Sequence, residues 1–158
     1  MLFLSIHPRF VEKILSGEKT YELRRRLPRS VAGDWIAIYA TTPAMQLRGV
    51  ARVASVCTGS VREIWQRVQS HAGVTHTEYE LYFAGSGRAV GIELSHPTML
   101  ATPIALEKLR EIWPGFRPPQ GFCYLSLDQE RYVQSLLPRS FNTLLETTKR
   151  ACLQVCGC

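Results

Sequence analysis

Nowhere in the 158 residues does an apolar run approach the roughly 20 that a membrane-spanning helix needs. A basic segment ahead of the first apolar stretch is also missing: "MLFLSIHPRF" breaks at His7-Pro8. No secretory leader is therefore expected, and the protein is expected in the cytoplasm, away from membranes. Cysteine is sparse and irregular, at 57, 123, 152, 156 and 158. That odd set lacks the dense, regular spacing of a disulfide framework. The terminal "CLQVCGC" has no neighbouring histidine or second cysteine pair to complete four metal ligands, so it reads as free thiols on a loose tail. Acid is in short supply: 13 Asp and Glu face 19 Lys and Arg, a formal charge of +6. Such a surplus favours an anionic partner, most often nucleic acid. Internal repeats and low-complexity linkers are absent, which argues for one domain.

What is present suits a soluble α+β chain long enough to bury a real core. "LFLSI" (2–6) is an apolar run fit for a buried strand. Pro8 then suits a first helical turn, Phe10/Ile14 and Val11/Leu15 share a face, and Gly17 is placed to end the helix. "TYELRRR" alternates, with Tyr21 and Leu23 on an apolar inner face and Glu22, Arg24 and Arg26 on a charged one. "WIAIYA" (35–40) and "QLRGVARVASV" (46–56) read as strands, Gly49 marking a bulge or bend. Ser60/Glu63 and Thr75/Glu78 are capping-box pairs that predict helices over 61–70 and 76–84, the latter closed by Gly85. "RAVGIELS" (88–95) and "GFCYLSL" (121–127) read as strands, "ALEKLREIW" (105–113) as a helix, and Asp128 as the cap of another. After Pro138 the apolar pattern weakens, so residues 139–158 are expected to be dispensable. The sum is a small, curled, mostly antiparallel sheet or barrel with inserted helices.

Three motif likenesses fail on mechanism. "GEKT" lacks the Gly-Lys step of a phosphate-binding loop and runs from helix to strand, the reverse of what that loop requires. "GSGRAVG" puts its third glycine one place late and precedes a strand, where a dinucleotide fingerprint follows one. "HTE" (76–78) has no Pro-Cys-x-x-Cys to supply the other ligands of a deaminase zinc. No metal and no cofactor are implied.

The order "LSI", "HPRFVEKILSGEKTYELR", "GDWIAIYATTP", "LRGVARV", then "GVTHTEYELYFAGSGRAVGIEL" and "PPQGFCYL", resembles the ASCH domain of the PUA-like superfamily. The later stretches resemble the branch described as predicted PUA-like transcriptional regulators. The resemblance covers about residues 2–127. It implies a domain over 1–127 followed by a C-terminal helix and cysteine-containing tail over 128–158. It also implies a PUA-like β-barrel with flanking helices and a cleft for RNA or a modified nucleotide. Members of the family include small amidohydrolases that deacylate acetylated cytidine, and a ribonuclease. The family's lysine after the glycine turn falls on Lys19 and its arginine on Arg24. Glu22 stands where the hydrolase pattern has threonine, which favours the regulator branch. The hydrolase's glutamate corresponds to Glu78 or Glu80.

On this resemblance Lys19, Glu22 and Arg24 line the cleft. The alternative is a solvated strand whose charges pair across the sheet for little energy. Arg26 with Arg25, Arg29, Arg48 and Arg52 would form a phosphate-tracking rim, or a solvated face. Tyr39 and Tyr82 would stack a base or sit in the core, and His7 would reach the cleft or cap the first helix. Two functions of different class stand. The first is an RNA- or nucleotide-binding module, regulatory through a protein partner. The second is a metal-independent hydrolase, with Lys19 and Glu22 as its catalytic residues.

Overall fold

The computed structural model describes residues 1–29 and 32–138; the expectations for 139–158, with Cys152, Cys156 and Cys158, lie outside them. The elements run β1 (Leu2–Ile6), α1 (Pro8–Leu15), β2 (Tyr21–Arg24), β3 (Trp35–Ala40), β4 (Gln46–Gly59), α2 (Val61–Val68) and α3 (His76–Phe83). β5 (Ala89–Ala105), α4 (Leu106–Ile112), β6 (Phe122–Tyr124) and α5 (Leu127–Ser135) follow. Six strands make one sheet in the order β2-β5-β4-β3-β1-β6. All neighbours are antiparallel except β1 and β3, which run parallel from Leu2↔Ile36 to Ile6↔Ala40.

The sheet curls because β4 and β5 are long, bulged and strongly paired. Their register slips three times, once beside Gly49. A side chain at Gly49 would meet the Thr98 carbonyl oxygen at 2.5 Å and Leu15 at 2.8 Å, so only glycine admits this approach. Curling brings edge strand β2 towards β1 and β6. Arg24 spans the seam, its Nη2 donating to the Ser5 carbonyl at 3.1 Å and its Nη1 to the Gly121 carbonyl at 3.3 Å.

Three apolar clusters result. Leu4, Ile6, Ile36, Ile38, Val53 and Ile92 face α1 through Val11 and Ile14. Phe3, Tyr39, Val50 and Leu125 pack with Leu109 of α4 and Val133 of α5, with Leu137 just beyond. Leu23, Cys57 and Ala89 pack beneath α2 and α3 through Ile64, Val68, Tyr79 and Phe83. Both capping boxes form as the sequence implies. The last helix departs from expectation: Ser126, not Asp128, caps it, accepting from the Gln129 N–H, while Asp128 lies in its first turn. Ser126 wins because it sits three residues ahead of a glutamine that can complete the box.

Candidate functional site

Two residues decide the character of β2. Glu22 pairs in register with Ile92 and Arg24 with Val90, both members of the apolar cluster inside the curl. Directly opposed residues of an antiparallel pair share a face, so the charged side of β2 turns inward. The expectation that the apolar face of β2 is the inner one and the charged face the outer is therefore corrected, and so is the alternative of a solvated strand. Tyr21 and Leu23 pack under α2 and α3, while Glu22 and Arg24 are buried within the curl, 6% and 9% exposed. Both faces are covered, which the alternation alone does not distinguish from one.

Lys19 is buried with them. The turn that delivers it rests on Gly17, in the left-handed region at φ 83°, with the Lys19 N–H donating to the Lys13 carbonyl. Its ammonium donates to the carbonyls of Tyr21 and Ala72, each at 2.6 Å, and lies 3.6 Å from the Glu22 carboxylate. The other Glu22 oxygen holds Arg24 Nη2 at 2.9 Å. One carboxylate thus bridges two buried cations. Burial pushes the Lys19 pKa down, opposed by Glu22 and assisted by Arg24 and Lys13. Among the described residues, two buried side-chain atoms of this region, Ser5 Oγ and Arg24 Nε, have no hydrogen-bond partner.

Above the triad opens a cavity of about 390 Å³. It sits where the parallel strands β1 and β3 end, beside the first turn of α1 and one side of α3. Besides Lys19, Glu22 and Arg24 its walls include His7, Phe10, Thr41, Glu78, Tyr82 and Gln120. His7 caps α1, its Nδ1 accepting from the Arg9 N–H at 3.3 Å, which leaves Nε2 as the ring's N–H donor. Arg9 reaches across the mouth to Glu78 at 2.8 Å. Burial raises the Tyr82 pKa, so that phenol stays neutral.

The structure thus brings together Lys19, Glu22, Arg24, His7, Tyr82 and Glu78. It leaves others elsewhere. Tyr39 is 2% exposed on the opposite side of β3, stacked near Phe3 in the second cluster, because it falls in phase with Trp35 and Ala37. Arg48 and Arg52 lie on β4 away from the cavity, Arg52 donating to the Gly33 carbonyl. Arg26 is exposed beyond the end of β2, and Glu80 pairs with His76 on the outer side of α3. Sequence reasoning missed Ser5, Phe10, Thr41 and Gln120. Phe10 was legible only as one residue of an apolar helix face, and Gln120 carries no local signal at all. No group of three or more His, Cys, Asp or Glu gathers into a metal site among the described residues.

The model of the ASCH domain matches residues 4–109. A Zymomonas mobilis protein named an ASCH domain-containing ribonuclease is 34% identical over 133 residues, covering 84% of this chain and 89% of its own length. The crystal structure of ASCH from Zymomonas mobilis superposes with a TM-score of 0.82 at 33% identity, over 87% of this chain and 95% of that one. The N-terminal domain of Staphylothermus marinus McrB gives a TM-score of 0.52 at 13% identity, over 85% and 92% of the two chains, a likeness of fold alone.

Proposed function

This chain belongs to the ASCH domain family, and from that premise we propose that its cavity receives one nucleotide of single-stranded RNA. The carrying observation is the buried Lys19–Glu22–Arg24 triad beneath a cavity of about 390 Å³. Burying three charges is costly unless they are paired and put to use, and sites of this kind concentrate at functional clefts. The volume suits a single nucleotide rather than a duplex. Glu22 accepts from a base edge, Arg24 and His7 donate to oxygens, and Tyr82 offers an aromatic wall. The surplus of six positive charges supports attraction of the strand's backbone. Lys19 is a positioning residue: it fixes the Glu22 carboxylate and the 19–21 turn.

A second reading, cleavage of the bound RNA, is favoured by the Zymomonas relative's name. In that reaction the Glu22 carboxylate takes the proton of the 2′-hydroxyl, and the freed oxygen attacks phosphorus. The bond from phosphorus to the 5′-oxygen breaks, that oxygen takes a proton from water, the hydroxide so formed takes the proton back from Glu22, and a 2′,3′-cyclic phosphate remains. Arg24 neutralises charge on the phosphoryl oxygens. We also infer a cytoplasmic setting. A regulatory role would run through RNA and a protein partner.

The test compares a mixed-sequence RNA with its 2′-O-methyl analogue. Both should bind, with affinity falling as salt rises by a logarithmic slope of about 0.7 per phosphate contact. Only the RNA should be cut, and Glu22→Gln should slow cleavage at least about a hundredfold while changing which base is preferred. Binding without product would leave the module and remove the nuclease. Absence of any salt-dependent binding would remove both.

A further inference from the structure

Beyond the cavity wall formed by Tyr82, the chain leaving β2 carries Arg25, Arg26 and Arg29, all exposed, with no acid between Glu22 and Asp34. Among the described residues none of these three arginines enters an ion pair. Arg25 is nevertheless held in place. Its Nε donates to the Tyr82 carbonyl at 2.7 Å, its Nη2 donates to the same oxygen, and its Cζ lies 4.8 Å from the centre of the Tyr82 ring. A planar cation lies over the same tyrosine that walls the cavity, with its side chain still open to solvent. Further along, the Arg29 N–H donates to the hydroxyl of Tyr124, whose ring is 48% exposed and edge-on to Phe122. The rim therefore alternates arginine and tyrosine along the seam that Arg24 spans.

We propose that Arg25, backed by Tyr82, forms a second nucleotide subsite, on which the base adjoining the one in the cavity stacks, with Arg26 and Arg29 meeting the phosphates that follow. The inference rests on the cavity reading and adds the neighbouring nucleotide and the direction the strand takes. Unpaired RNA bases stack on guanidinium planes as they do on aromatic rings. A guanidinium already fixed by two hydrogen bonds and a ring loses little freedom when a base covers it, so the platform is preorganised. An acidic protein segment would satisfy the charge but gain nothing from the flat cation.

Binding of each nucleoside 5′-monophosphate and of a mixed-sequence 2′-O-methyl hexanucleotide, which resists 2′-hydroxyl attack, tests this. The intact protein should bind the hexamer at least about tenfold more tightly than any monophosphate. Arg25→Ala should weaken the hexamer about tenfold and leave monophosphate binding unchanged. Arg25→Lys should preserve the salt slope yet recover little of the loss, because it restores charge without the plane. Arg29→Ala should flatten the slope by about one contact. Full recovery by Arg25→Lys would overturn the stacking subsite. A hexamer no tighter than a monophosphate would overturn it while the cavity reading stands, and failure of every nucleotide to bind would remove both. Displacement of the hexamer by hexaglutamate with the same dependence on Arg25 would reassign the rim to an acidic protein segment and overturn it too.

Discussion

Removing the guanidinium of Arg24 would leave Glu22 with only the Lys19 ammonium, 3.6 Å away, would free the Ser5 carbonyl, and would leave the Gly121 carbonyl with the Ser5 N–H alone. A buried ion pair broken from one side strands a charge in a medium that solvates it poorly. Arg24→Leu should therefore cost about 3 kcal/mol in urea unfolding. Arg24→Lys should recover only a fraction, since one point charge cannot reach a carboxylate and two carbonyls together. If Arg24→Leu unfolds at the wild-type urea concentration, the residue serves the ligand alone and not the seam. At this scale the sequence was informative about identity and silent about environment. Lys19, Glu22 and Arg24 stand out through the family resemblance, but nothing in "KTYELR" shows that Ile92 and Val90 lie opposite and draw the charges inside.

The helices were readable because their ends are written locally. Ser60 accepts from the Glu63 N–H, and the Glu63 carboxylate accepts from the Ser60 N–H at 2.8 Å, as the four-residue pattern requires. That backbone bond, followed by the Ser60 hydroxyl, holds the Glu63 carboxyl below its ordinary value of 4.5. A carboxyl depressed on folding stabilises above its unfolded pKa and loses that contribution as pH falls through the folded one. Ser60→Ala should cost about 1 kcal/mol at neutral pH. The gap between wild type and variant should narrow once the pH drops below the folded pKa of Glu63. A gap constant with pH would show that the carboxylate does not feel the Ser60 hydroxyl. Strand β5 was the opposite case. The sequence reads as strand only over 88–95, yet β5 continues to Ala105. Val50 pairs with Thr98 and Arg52 with Ser95, so His96, at φ 49°, and Pro97 are taken up in a register slip where no ladder donor is needed. Such a slip depends on the partner strand, and no window of β5 alone contains it.

Seen whole, the molecule closes on itself through its last described helix. Val133 of α5 is fully buried beside Leu109, Trp113 and Leu125, and Leu137 just beyond the helix is buried in the same cluster. Val133→Ala should lower stability by about 2 kcal/mol and the thermal midpoint by several degrees. An unchanged midpoint would mean that α5 only rests on the surface. The same closure sets the order in which the parts become available. Of the described strands β1 is made first, but its antiparallel partner β6 ends at Tyr124, and the Gly121 carbonyl that Arg24 grips and the Gln120 that walls the cavity come just before it. Until those residues leave the ribosome the seam has one lip only. A chain still being translated is tethered to its own message, and on the RNA reading proposed above it has no finished pocket for that message in that interval.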